Sequence, residues 1–139
     1  MAHDATKVVL GATQSTMKHV DCKSGSIPAG KIVRQKSDGT LSLAKADGEA
    51  LGISLGADLS NTSYTAICRA GLRVPILLTS GFTPTLGAQV AIDDVTGIAK
   101  AAGAGVTAVN AVFASSTLTG ILEDGTTANC ALIDFVGGL

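Results

Sequence analysis

Tryptophan is absent from this 139-residue chain, which carries one tyrosine and three phenylalanines. So sparse an aromatic set leaves little to line a small-molecule pocket or to stack on nucleobases. Histidine occurs only at His3 and His19, so no histidine follows any serine of the body of the chain. Their spacing fits no zinc-ligand pattern such as H-E-x-x-H. The three cysteines, Cys22, Cys68 and Cys130, form no C-x-x-C pair, which leaves a zinc site or a thioredoxin-like motif unsupported. Free thiols of a reducing compartment are expected, with Cys68 and Cys130 as small buried apolar residues. The longest apolar run, at residues 74–78, is far too short to cross a bilayer. The first residues, Met1-Ala2-His3-Asp4, place an acid where a secretory leader has bases. A soluble protein made in a cytoplasm is therefore expected, with no membrane partner and no cofactor or metal.

What is abundant is glycine, at 17 residues, in a chain that is 46% hydrophobic. The core must then be built from Val, Ile, Leu and Ala, with glycines placed at turns. Val90 and Ile92 alternate with Ala91 and Asp93, the period-2 pattern of a half-buried strand. Residues 94–97 supply turn chemistry, and residues 98–100 are expected to return as a strand. Residues 30–43 show the same design around Ser37-Asp38-Gly39-Thr40, the strongest hairpin signal in the chain. Leu51-Gly52-Ile53 follows the first hairpin and Thr119-Gly120-Ile121 the second. Gly87 lies 57 residues after Gly30, Gly97 lies 58 after Gly39, and Gly120 lies 68 after Gly52. The spacing predicts two similar β units, at about 27–78 and 86–135, with ten extra residues in the second. That insertion falls within residues 101–112, expected to be a loop or short helix.

Eight or more short strands are predicted, giving an all-β fold, a jelly-roll-like sandwich or small β-barrel built from two similar β units. Residues 1–26 match neither unit and read as an extended N-terminal arm on a single domain of residues 27–139. The arm is expected to be ordered chiefly by a neighbouring molecule. Pro75 lacks an N–H and belongs on a sheet edge or at a bulge.

Net charge is −1, against a strongly basic nucleic-acid binder. Its distribution is uneven: residues 1–73 hold nine bases and six acids, whereas residues 74–139 hold Lys100 and five acids. Lys31, Arg34 and Lys36, with Lys45, are expected to form a basic patch on the first hairpin. Without interleaved aromatics such a patch suits protein docking better than nucleic acid. Gly52-Ile53-Ser54-Leu55-Gly56 matches the G-x-S-x-G nucleophile elbow, but a loop-like sequence follows it and no later histidine exists to serve as base. The doublets Asp93-Asp94 and Glu123-Asp124 read as turn residues, because adjacent strand residues face opposite ways.

Five modules follow one another: Ala-Gly-Lys-Ile-Val at residues 29–33, Ala-Leu-Gly-Ile-Ser-Leu-Gly-Ala at 50–57, and Ala-Gly-Leu-Arg-Val-Pro at 70–75. Leu-Gly-Ala-Gln-Val-Ala-Ile-Asp at 86–93 and Leu-Thr-Gly-Ile-Leu-Glu-Asp-Gly at 118–125 complete the order. Over residues 28–135 this resembles the small cement, or decoration, proteins of tailed-bacteriophage capsids. The resemblance implies a non-enzymatic structural protein on the outer capsid surface of a virion, made in the host bacterial cytoplasm. Its partners would be the major capsid protein and itself, as a homodimer in preference to a trimer. Candidate capsid or self-association contacts are Lys7, Val8, Val9 and Leu10 of the arm, Lys31, Arg34 and Lys36 of the hairpin, and Arg73 and Pro75. The alternatives are a small β-barrel hydrolase using Ser54 and a carbohydrate-binding β-sandwich module.

Overall fold

β-Branched residues occupy the alternating positions that the sequence reserves for strands, and the fold follows them. The computed structural model describes residues 7–9, 16–21, 27–57, 64–136 and 139. The chain is all-β. In order, the strands are β1 (Lys7–Val9), β2 (Thr16–Asp21), β3 (Ile32–Gln35), β4 (Leu41–Ser42) and β5 (Ala50–Ala57). They continue with β6 (Tyr64–Leu77), β7 (Gln89–Asp93), β8 (Val106–Phe113), β9 (Leu118–Ile121) and β10 (Thr127–Phe135). One 3-10 turn, Lys45–Asp47, is the only helical element among the described residues.

β6 is the spine. At 14 residues it serves two sets of partners in succession. Around Cys68 its edges pair with Met17 of β2 and Ile53 of β5. Beyond Gly71 it pairs instead with β10, from Phe135 opposite Gly71 to Cys130 opposite Leu77. The handover is made at a register shift between Ile133 and Phe135, where Leu72 and Arg73 together oppose Asp134 as a bulge. Bulges of this kind let one strand bend from one set of partners to another. Pro75, opposite Leu132, follows two residues later, and the two strands expected at 64–68 and 71–78 are this single bent one.

β10 mirrors this arrangement. Cys130 pairs with Leu77 on one edge and Leu118 of β9 on the other, and Ile133 pairs with Val74 and with Phe113 of β8. β9 and β8 thus share one edge of β10 while β6 takes the other. All these pairings are antiparallel; β1 beside β9 is the parallel exception.

Three sequence expectations change. Residues 106–113, expected within a loop or short helix, form β8, because Val109, Ala111 and Phe113 bury one face while Ala108, Asn110 and Val112 face out. β7 takes β8 as its main partner, and the expected return at 98–100 is a short one: Ala99 bridges Ile92, with Asp93 N–H to Ile98 O at 2.9 Å and Lys100 N–H to Ala91 O at 3.0 Å, and it bridges Leu78 in parallel. Residues 94–97 turn on the Asp93 carboxylate, whereas the hydrogen-bond pattern of the turn at Lys36–Thr40 recurs at residues 122–126. In each, the Asp carboxylate accepts from the Thr two residues on, through N–H at 3.0 Å and Oγ1 at 2.6 Å, for Asp38 with Thr40 and for Asp124 with Thr126. Each closes with a 2.8 Å backbone bond, Lys36 N–H to Thr40 O and Leu122 N–H to Thr126 O.

The main core gathers Ile32, Ile53, Val74, Ile76, Ile92 and Ile133 with Phe113 and Phe135. Distant segments are tied by backbone bonds: Ile32 N–H to Gly97 O, Lys45 N–H to Asp94 O and Leu77 N–H to Gly30 O, each at 2.8 Å. Two stretches of the N-terminal segment, β1 and β2, pair with the domain's own β9 and β6.

Candidate functional site

The first hairpin does not present the expected basic patch. Residues 32–34 are buried on both faces of β3, and Arg34 is only 2% exposed. A charge so placed must be answered internally. The Arg34 guanidinium donates to the Leu43 carbonyl at 2.8 Å. Burial pulls its pKa below the ordinary value, opposed by the negative charges of Asp94 and then Glu49. Arg34 is therefore a structural cation and not a docking contact. Lys36 is exposed. Lys31 is half-buried and, with Pro28, Leu77 and Glu123, lines an open cleft of about 370 Å³. Glu123 closes one wall by accepting the Ala29 N–H at 2.9 Å.

Of the arm candidates, Lys7, Val8 and Val9 align with Thr119, Gly120 and Ile121 in the parallel β1–β9 pair. Leu10 lies outside the described residues, as do His3 and Cys22. Pro75, also expected as a contact, is buried in β6. Its fixed φ and missing N–H shape the strand just past the bulge.

Arg73 is the candidate that the structure leaves at the surface. It is exposed and adopts φ 56, the only positive value at a non-glycine among the described residues. Asp134 Oδ1 accepts the Arg73 N–H at 2.7 Å, and the guanidinium donates to the Ala114 carbonyl at 3.3 Å. A side chain with a Cβ pays for left-handed backbone, so these two bonds and the bulge hold it there.

Ser54 is fully buried. Its hydroxyl donates to the Ile27 carbonyl at 2.8 Å and accepts from the Gly56 N–H at 3.2 Å. A nucleophile must be reached by substrate, and this hydroxyl instead fastens β5 to the chain entering β3. The acidic doublets are turn residues. Asp93 Oδ1 accepts the N–H groups of Val95 and Thr96, each at 2.9 Å, and Lys100 Nζ lies 3.2 Å from Oδ2. The Thr96 and Val95 bonds, in that order, hold its carboxyl well below the usual carboxylate range. Cys68 and Cys130 are buried, and burial pushes the Cys130 thiol up to about 11. Phe113 and Phe135 lie in the core, and the half-buried Phe82 leans on Phe113 at 5.9 Å between ring centroids.

No protein-family model, curated protein or solved structure matches the chain. Among the described residues no three His, Cys, Asp or Glu side chains gather as a metal cluster, and no helix is long and apolar enough to cross a membrane.

Three residues that the sequence reading does not single out, Leu72, Val112 and Val136, are exposed although apolar. Val112 was hidden by treating residues 101–112 as one irregular insertion. Its alternation with Ala111 and Phe113 was the available signal.

Proposed function

We propose that the chain is a capsid cement protein, which binds the outer surface of a tailed-phage shell and bridges neighbouring major capsid subunits. The observation that carries this reading is the order of the five modules along residues 28–135. Each lies on a strand or on the turn beside one, and the second is coextensive with β5. Two of their glycines, Gly30 and Gly87, take φ 88 and 81, so the modules specify backbone rather than surface chemistry. In the same reading the ten strands form a small barrel-like or jelly-roll scaffold of two units that meet where Ile32 bonds to Gly97.

A bridging copy holds two shell subunits by effective concentration, so modest contacts on each side add up to useful reinforcement. Rigid antiparallel pairing and internally satisfied polar groups suit that task, since no buried side-chain N or O among the described residues lacks a partner. Mixing the purified protein with undecorated shells and sedimenting the mixture tests the proposal. Saturable, stoichiometric co-sedimentation and a raised temperature of shell rupture are expected. Absence of binding to mature shells overturns it.

A further inference from the structure

Asp-Gly occurs three times in the chain, at Asp38-Gly39, Asp47-Gly48 and Asp124-Gly125. A glycine after an aspartate leaves its amide nitrogen open to the preceding carboxyl, because no Cβ stands in the way. The nitrogen can attack Cγ of the protonated carboxyl. The N–Cγ bond forms, the amide proton and the carboxyl hydroxyl leave as water, and a five-membered succinimide results. Water reopens the ring at either carbonyl, and cleavage at the main-chain carbonyl leaves isoaspartate, whose backbone runs through Cβ and Cγ. The sequence of steps is redox-neutral, and water is the only co-reactant.

The three dipeptides are alike in sequence and unlike in structure. Asp38 and Asp124 are each gripped by the threonine two residues on, with Oγ1 at 2.6 Å and N–H at 3.0 Å. These bonds aim the carboxylate past the intervening glycine nitrogen. The Thr126 hydroxyl and N–H also keep the Asp124 carboxyl below its ordinary pKa, away from the protonated form that the reaction uses. The nitrogens of Gly39 and Gly125 are engaged as well, each donating at 2.9 Å, to Lys36 O and Leu122 O. Asp47 has no such threonine, since Glu49 stands two residues on, and its carboxylate accepts from the exposed Ser42 hydroxyl instead. The Gly48 N–H reaches Lys45 O at a longer 3.2 Å. Asp47 also ends the Lys45–Asp47 turn, which has no side-chain cap and no buried residue. Opening that turn uncovers no apolar surface, the mark of a segment that unfolds locally at small free energy. The rotation required is about Asp47's own bonds, so Gly48 can stay against the Gln35 carbonyl.

We infer that Asp47-Gly48 is the site at which the folded protein undergoes spontaneous backbone isomerisation, while Thr40 and Thr126 protect Asp38 and Asp124. The conversion lengthens the backbone by one methylene close to Lys45, whose N–H ties this turn to Asp94 O at 2.8 Å. The inference does not depend on the capsid reading, since it concerns the free protein.

Prolonged incubation of the folded protein in mildly acidic buffer, followed by tryptic mapping, tests it. Cleavage after Lys36, Lys45 and Lys100 puts the three aspartates on separate peptides. Isoaspartate is scored on each by enzymatic methylation and placed by fragmentation in the mass spectrometer. It is expected to accumulate at Asp47 about tenfold faster than at Asp38 or Asp124, and the three rates are expected to converge in denaturant. Thr126→Val removes an exposed hydroxyl and keeps the N–H, so it is expected to raise the Asp124 rate several-fold and leave Asp47 unchanged. Isoaspartate that leads at Asp38 or Asp124, or that forms alike at all three in the folded protein, overturns the inference, as does its absence at Asp47. An Asp124 rate indifferent to Thr126→Val overturns the protection by threonine.

Discussion

The Arg34 guanidinium donates to the Leu43 carbonyl at 2.8 Å from a site that is 2% exposed, so the end of β3 and the chain after β4 share one buried cation. Removing it leaves the carbonyl without its donor and Asp94 and Glu49 without their cation. Arg34→Ala is expected to lower unfolding free energy by roughly 3 kcal/mol, read from the urea midpoint. A loss below about 1 kcal/mol would mean that water reaches the guanidinium.

Asp93 gives a pH dependence of definite sign. Its folded pKa is depressed, so its stabilisation is complete above the ordinary carboxylate value and is lost as pH falls through that value towards the folded one. Stability is expected to decline with acidification below about pH 5. Asp93→Asn should flatten that decline, as followed by thermal midpoint against pH. An unchanged acid limb would place the linkage in other carboxylates.

Thiol chemistry should report burial. With Cys130 raised to about 11 and Cys68 enclosed, both are expected to resist a thiol reagent at pH 8 in the native protein and to react at once in denaturant. Mass spectrometry of the labelled peptides identifies which cysteine reacts. Rapid native labelling of Cys130 would contradict the packing of β10 against β6.

Two glycines separate steric need from conformational need. A Cβ at Gly52 would lie 2.4 Å from the Cys68 carbonyl oxygen, a clash with backbone that cannot move aside. At Gly39 a Cβ meets nothing within 4 Å, and only the φ of 88 resists. Gly52→Ala is expected to cost about 3 kcal/mol and to part β5 from β6, against about 1 kcal/mol for Gly39→Ala. Equal effects in denaturant titrations would reject the close approach.

These contrasts show what could be read beforehand. The turn at Asp38-Gly39 and the strands around Ile53, Ile67, Ile92 and Ile133 followed from local chemistry, because turn type and alternation are short-range properties. β8 did not. The Ala- and Gly-rich residues 101–105 coloured the segment after them, although the alternation of Val109, Ala111 and Phe113 was present. Glycine spacing pairs Gly97 with Gly39, while Asp-Gly-Thr at 38–40 and 124–126 share the same side-chain hydrogen bonding. The charge of Arg34 points to the surface, yet a strand covered on both faces has no outward side. The left-handed Arg73 is fixed by a carboxylate 61 residues away, a long-range relation that no window of sequence contains.

The sharing of β6 has a consequence for how the domain comes apart. Peeling away β5 and β2 frees one end of the strand, and peeling away β10 frees the other, so neither group can detach without stripping a partner from the same continuous backbone. The domain should behave as a single foldon. The amides of Ile67 and Ile76, at opposite ends of that strand, should exchange with deuterium at one common slow rate, and a tenfold gap between them would reveal two independent halves.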